Sequence, residues 1–212
     1  MKESFEDLKN KVISGNQSES IAAVKKLIEE GENAKEIIDG ALVPAMDTVG
    51  EKFQKNEFFI PELLVAGRAM EACMKILQPL LSAGDVKPRG TVLIGTVKGD
   101  LHDIGKNIVS AMLKGAGFEI IDIGTDVPPA KFADEVAARK PDVLGLSALL
   151  TTTMRAMKDT IEELKRKGVR DSVKIMVGGA PLTQQYADEI GADAYGRDAA
   201  DAVKRAKELV GV

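Results

Sequence analysis

The sequence predicts an α/β chain made of two parts: an N-terminal four-helix bundle and then a doubly wound five-stranded parallel sheet. Three observations lead there. Apolar residues recur at helical spacing from residue 2 to about residue 83 with no strand-like run. A stretch rich in Gly, Pro and charge, Ser82 to Gly90, then interrupts the pattern. Beyond it, short aliphatic runs alternate with amphipathic helical segments, the grammar of repeated βα units.

In the first part, Phe5, Leu8, Val12 and Ile13 mark a helix that Gly15-Asn16 ends. Ile21, Val24, Leu27 and Ile28 mark a second, closed by Gly31. A third carries Ile37, Ile38, Leu42, Met46, Val49 and Phe53, and Gly40 and Pro44 predict a break or kink near its middle. Pro61 suits the first turn of a fourth helix through Leu64, Ala69, Met70, Cys73, Met74, Leu77 and Leu80, with Pro79 bending or ending it. Short connections between four such helices predict an antiparallel bundle. The expected domains are 1–85 and 86–212.

In the second part, strands are expected at Thr91–Val97, Glu119–Ile123, Val143–Ser147, Lys174–Val177 and Ala192–Tyr195. Helices are expected near 105–116, 129–139, 152–167, 182–190 and 198–210. Val92-Leu-Ile and Val143-Leu-Gly-Leu read as strands covered on both faces. The result is a flavodoxin/Rossmann-like sheet, whose ligand belongs beyond the carboxyl ends of its strands.

Composition narrows the chemistry. The 212 residues include one histidine, His102, one cysteine, Cys73, and no tryptophan. A structural zinc site wants four Cys or His ligands and a catalytic one two or three His, so neither can be assembled. One cysteine forms no disulfide framework, and a reducing compartment is expected. The net charge of −4 and the absence of a basic face give no footprint for nucleic acid. The start, MKESFEDLKN, is charged rather than apolar, and no stretch reaches the ~20 apolar residues of a membrane span. A cytoplasmic protein with a mostly aliphatic core is expected, without membrane partners.

Three patches fall at the predicted strand ends. They are Gly99-Asp100-Leu101-His102-Asp103-Ile104-Gly105, Ser147-Ala-Leu149-Leu-Thr151-Thr-Thr153 and Gly178-Gly179-Ala180-Pro181. Each has a plain explanation alone: glycines make tight βα turns, Ser and Thr cap helices, and an isolated histidine is usually solvated. Asp100 or Asp103 also admits a receiver-type phospho-acceptor role. Convergence of all three patches on one rim favours a binding site. Asp100, two residues before His102, is placed to orient an imidazole ligand.

Asp100-x-His102-x-x-Gly105, Ser147-x-Leu149 and Gly178-Gly179, separated by 41 and 28 residues, resemble the three-part signature of cobalamin-binding domains that hold their cofactor base-off with histidine on. In the helical part, Pro44-Ala-Met46-Asp-Thr-Val49-Gly50-Glu-Lys-Phe53 and Phe59-Ile60-Pro61-Glu-Leu63 resemble the cap bundle of methionine synthase. The whole layout is similar to the corrinoid proteins of three-component methyltransferase systems, which carry methyl groups from methanol, methylamines, betaines or methoxylated aromatics.

The resemblance implies cobalamin or a related corrinoid, passing between methylcobalamin and cob(I)alamin. His102 would be the lower axial ligand to cobalt, Asp100 the acceptor of its other ring N–H, and Thr153 the hydroxyl completing that relay. Asp103, Ile104 and Gly105 would adjoin the cofactor, with Gly178 and Gly179 admitting its displaced tail. Ser147 would bond the buried base, and Leu149 and Thr151 would line its channel, with Ala180 and Tyr195 beside it. Met46, Val49, Phe53, Leu63 and Leu64 would shield the methyl group or else form plain bundle core.

Release of His102 from cobalt is expected to couple methyl transfer to proton uptake at the His–Asp pair, and the linker around Gly84–Gly90 is the expected hinge. Implied partners are a barrel-type substrate-specific methyltransferase, an acceptor methyltransferase using tetrahydrofolate or a thiol, and a reductive activase. The chain alone would not be a complete enzyme. Light-sensing relatives use a Trp and a second His, which this chain lacks. Two alternatives stand beside this reading: a cobalamin-binding subunit of an adenosylcobalamin mutase, and a non-corrinoid receiver-like regulatory module.

Overall fold

A computed structural model of the chain describes residues 3–81 and 88–212. The expected linker at Ser82–Gly90 therefore falls mostly outside the described residues. The chain divides into two compact units, Met1–Lys87 with Gly115–Gly117 and Pro88–Lys114 with Phe118–Val212.

The N-terminal unit is helical. α1 (Glu3–Ile13) buries Phe5, Leu8 and Val12, and α2 (Gln17–Glu29) buries Ala23, Val24 and Leu27. Asn16 caps α2 by accepting the Glu19 N–H, so the Gly15-Asn16 signal both ends one helix and starts the next. α3 (Ala34–Ile37) passes through a widened π turn (Ile38–Leu42) into α4 (Val43–Gln54). The break expected at Gly40 and Pro44 is thus a π turn within a continuing helical path. Two local facts explain it. Proline has no N–H to give an i→i−4 bond, and a wider turn absorbs that loss at Pro44. Gly40 is small because the Phe5 ring lies on it, only 2.6 Å from where a Cβ would be.

α5 (Ile60–Leu77) begins with Pro61 in its first turn, and the Glu62 carboxylate accepts the Phe59 N–H at 2.9 Å. It buries Leu63, Ala66, Ala69, Met70, Cys73 and Leu77. Pro79 sits in a short 3-10 turn, Gln78–Leu80, that closes the helix.

The second unit holds five strands: β1 (Thr91–Thr96), β2 (Glu119–Asp122), β3 (Val143–Ser147), β4 (Lys174–Gly178) and β5 (Ala194–Gly196). Five helices follow them in alternation: α6 (Ile104–Gly115), α7 (Pro129–Arg139), α8 (Arg155–Arg166), α9 (Gln184–Ile190) and α10 (Ala199–Val210). The sheet is parallel throughout, in the order β2-β1-β3-β4-β5. Leu93, Phe132, Leu144, Ile161, Leu164 and Ile175 are fully covered and form the apolar centre between sheet and helices.

Topology places the site. After β1 the chain goes to one side for β2 and to the other for β3, so the connections leaving β1 and β3 part company and open a crevice. Register aligns the strand ends: Thr96 pairs with Ser147, Ser147 with Gly178, and Gly178 with Gly196. The three sequence patches therefore start side by side on one rim. One boundary differs from expectation: residues 151–154 form a turn, and α8 starts at Arg155, so Thr153 lies in a loop.

Candidate functional site

At the β1/β3 crevice the structure brings Asp100, His102, Leu149 and Thr153 together. Asp100 is completely buried, whereas half of the His102 side chain is exposed (51%). His102 Nδ1 lies 2.7 Å from Asp100 Oδ1, which also accepts the His102 backbone N–H at 3.0 Å. The other oxygen, Oδ2, accepts Leu149 N–H at 2.8 Å, Leu150 N–H at 3.3 Å and Thr153 Oγ1 at 2.7 Å.

Burial by itself raises a carboxyl pKa. Here it is outweighed by the Leu149 N–H, the Thr153 hydroxyl, the His102 N–H and the imidazole, which hold Asp100 well below the usual carboxylate range. Asp100 is therefore an anion that only accepts. In the neutral ring Nδ1 therefore carries the proton and Nε2 the lone pair, and Nε2 faces no hydrogen-bond partner among the described residues. The site presents one imidazole donor in a fixed tautomer. Thr96, buried at the end of β1, donates its hydroxyl to the His102 carbonyl at 3.0 Å and pins the loop from below.

Large aliphatic side chains stand exposed on both connections that border the crevice. Leu101 (73% exposed) and Ile104 (76%) flank His102 in the chain, and Leu149 and Leu150 are exposed on the facing connection. Such a cluster of uncovered aliphatic side chains marks a surface built for an apolar partner. The donor set fits a particular kind of metal group. A metal held by one protein nitrogen must bring the rest of its coordination sphere with it, and the exposed leucines and Ile104 suit the apolar body of a macrocycle.

The other residues expected from the sequence divide in two groups. Ser147 ends β3, half-buried, next to Thr96 and Gly178, and its hydroxyl has no partner among the described residues. At Gly105 an added Cβ would meet nothing within 4 Å, so its missing side chain leaves open space. Thr151 and Ala180 are exposed on the same rim.

Gly178 and Gly179 are explained by the fold itself. A Cβ on Gly179 would lie 1.8 Å from the Ala148 carbonyl oxygen, and one on Gly178 would lie 3.2 Å from that of Gly196. Gly179 also has a φ of 138°, which glycine alone adopts easily. Tyr195 uses its hydroxyl internally, donating to the Leu182 carbonyl at 2.9 Å and tying β5 to the chain after β4. Asp103 precedes α6, and its side chain accepts from Asn107 Nδ2 at 3.0 Å, a helix-start contact. In the helical unit Met46 and Val49 are buried on α4.

Sequence reasoning missed Leu101, Leu150 and Thr96. The signal for the two leucines is present: large aliphatic residues inside Gly- and Thr-rich connections have no strand or helix face to bury them. Nothing in the sequence marks Thr96, which alternation makes an ordinary end-of-strand residue. A receiver-type role for Asp100 needs a solvent-facing carboxylate, and Asp100 has no exposure.

Comparison with known proteins shows the family of the chain. Residues 90–204 match a family model described as B12 binding domain, and residues 4–78 match a second model with the same description. The chain is 46% identical over 209 residues to dimethylamine corrinoid protein 2 of Methanosarcina acetivorans, covering 98% of this chain and 96% of the relative. It is 43% identical over 213 residues to the trimethylamine corrinoid protein of Methanosarcina barkeri, covering 100% and 95%.

Among solved structures it resembles the methanol:cobalamin methyltransferase complex MtaBC of Methanosarcina barkeri. There the TM-score is 0.89 and the identity 30%, over 99% of this chain and 80% of that one. A cobalamin-binding protein from Desulfitobacterium hafniense DCB-2 gives a TM-score of 0.81 and 33% identity over 97% and 98%. The chain belongs to the family of corrinoid proteins built on B12 binding domains.

Proposed function

We propose that this chain is a methyl carrier that binds a corrinoid base-off, with His102 Nε2 as the lower axial ligand, and passes the methyl group between two methyltransferases. When bound, the corrinoid supplies a cobalt centre able to take up and give up a methyl group. The observation that carries the reading is the half-exposed imidazole, set by a buried carboxylate, with exposed aliphatic residues on both connections that border the crevice.

Each residue has a task in this reading. Asp100 holds the proton at Nδ1 and so keeps Nε2 available as a donor. Thr153 and the Leu149 N–H hold Asp100 ionised and in place. Leu101, Ile104, Leu149 and Leu150 exclude water from the metal-facing side. Ser147 offers an unused hydroxyl to the tail of the cofactor, and Gly105 leaves it space. The acceptor-side methyltransferase and a reductive activase are separate proteins.

The relatives named for dimethylamine and trimethylamine point to a methylated amine as the first donor to test, supplied through a partner methyltransferase. Apoprotein mixed with cobalamin and passed through gel filtration should keep one equivalent with a changed visible spectrum. The loaded protein should then be methylated by a dimethylamine- or trimethylamine-directed methyltransferase. If cobalamin elutes free, the carrier reading is wrong; if only a methanol-directed partner methylates it, the donor is wrong.

A further inference from the structure

The end of β2 and the connection that follows it carry two aspartates, Asp122 and Asp126, that take no part in the His102 contacts. Both grip the loop that bears His102, at opposite ends. Asp126 Oδ1 accepts the Gly99 N–H at 2.7 Å, and the Asp126 N–H donates to the Asp100 carbonyl at 2.9 Å. The same segment continues this pairing through Thr96 N–H to the Gly124 carbonyl (2.9 Å) and Val127 N–H to the Thr96 carbonyl (3.0 Å). Gly99 turns with a φ of 83°, and Asp126 itself has a φ of 53°, a left-handed conformation that costs most residues energy but suits Asp, Asn and Gly.

At the far end, Lys106 stands one turn into α6 with its side chain buried to 3% exposure. Its ammonium group meets the Asp122 carboxylate and donates to Asn107 Oδ1 at 2.9 Å. Asp122 in turn accepts the Gly124 N–H at 2.9 Å, so it is oriented from its own strand end. A buried ammonium is retained only where it is paired. Here its partner ends β2 and leads into the same connection that holds Gly99.

We infer that the Asp122–Asp126 connection is a two-sided bracket that sets the position of His102: Asp126 fixes the loop before Asp100, and Asp122, through Lys106, fixes it after His102. Asp122, Asp126 and Lys106 are positioning residues, acting through the loop without touching the imidazole. The inference deepens the proposed function and rests on it for its consequence, since the bracket matters to cobalt only if His102 is the ligand. Its structural part stands on the apoprotein alone.

The test exploits the single histidine. With 15N-labelled histidine, the ring nitrogen shifts of the apoprotein, measured at a pH where the ring is neutral, report the tautomer of His102 and nothing else. Wild type should show the Nδ1–H form alone. Asp126→Gly keeps the left-handed backbone and deletes the acceptor; it should show mixed tautomers and roughly tenfold weaker cobalamin binding. Asp126→Asn keeps both backbone and acceptor and should behave as wild type. Asp122→Asn keeps an oxygen for Gly124 but removes the charge facing Lys106, and should move the tautomer ratio in the same direction as Asp126→Gly.

A wild-type tautomer ratio in either Asp126→Gly or Asp122→Asn overturns the two-sided bracket. A shifted ratio in a protein whose wild type does not bind cobalamin would support the bracket and reject the proposed function, so the two failures are separable.

Discussion

Thr153 and Asp100, 53 residues apart in the chain, are joined by a 2.7 Å hydrogen bond in the crevice between β1 and β3. That bond ties the loop after β3 to the carboxylate that sets the imidazole, so the two halves of the crevice share one buried charge. Thr153→Val keeps the shape and removes the donor, and urea unfolding should show a loss of about 2 kcal/mol. Thr153→Ser should restore most of it. Equal stability of Val and wild type would mean that the hydroxyl contributes nothing.

The same carboxylate sets a pH dependence. Asp100 ionises below its unfolded value of about 3.9, so its contribution is complete above that value and is lost as the pH falls below it. Unfolding free energies measured between pH 6 and pH 2 (about those limits, by the usual carboxylate range) should fall less steeply in Thr153→Val than in wild type, because one donor favouring the anion is gone. Parallel curves would contradict the ledger of donors around Asp100.

Two glycines separate packing from binding. Gly179→Ala places a Cβ against the Ala148 carbonyl at a positive φ, and should cost about 3 kcal/mol or more. Gly105→Ala meets no atom of the chain and lies in a helix, so the apoprotein should be unchanged or up to about 1 kcal/mol more stable. Its cobalamin affinity should nevertheless drop. Thermal melts and cobalamin titrations of both variants give the answer, and undiminished binding by Gly105→Ala would remove Gly105 from the site.

Cys73 is a built-in reporter for the helical unit. It is fully covered on α5, and burial pushes its thiol up to about 12. A group raised in the folded state stabilises below its unfolded pKa of about 8.5 and loses that contribution as the pH climbs toward the folded value. Alkylation by iodoacetamide at neutral pH should therefore wait for opening of the unit, and stability should decline above about pH 9. Rapid labelling of the native protein would contradict this burial.

Much of this architecture was legible in the sequence because strand ends and helix starts are punctuated by Gly, Pro and Asn, as at Gly15-Asn16 and Pro61. The order of the three patches also led to Asp100, His102 and Thr153, which the fold brings into contact. What stayed hidden was hydrogen bonding between distant backbones. Leu149 orients Asp100 through its N–H, which no side-chain pattern records. Gly40 and Pro44 read as a break because the Phe5 ring that fills the space at Gly40 lies in another helix. Gly179 read as a place of close approach to a ligand, and the fold supplies a second reason for it, the Ala148 carbonyl that a Cβ there would strike.

His102 Nε2 is the proposed ligand to cobalt, and the axial nitrogen can be read directly. Protein labelled with 14N- or 15N-histidine, loaded with cobalamin and reduced to the Co(II) state, gives an electron paramagnetic resonance spectrum split by its axial nitrogen. Because His102 is the only histidine, the splitting pattern should change from triplets to doublets with the label and vanish in His102→Ala. An unchanged triplet pattern in the 15N-labelled protein would show that the cofactor keeps its own base, and His102 would not be the ligand.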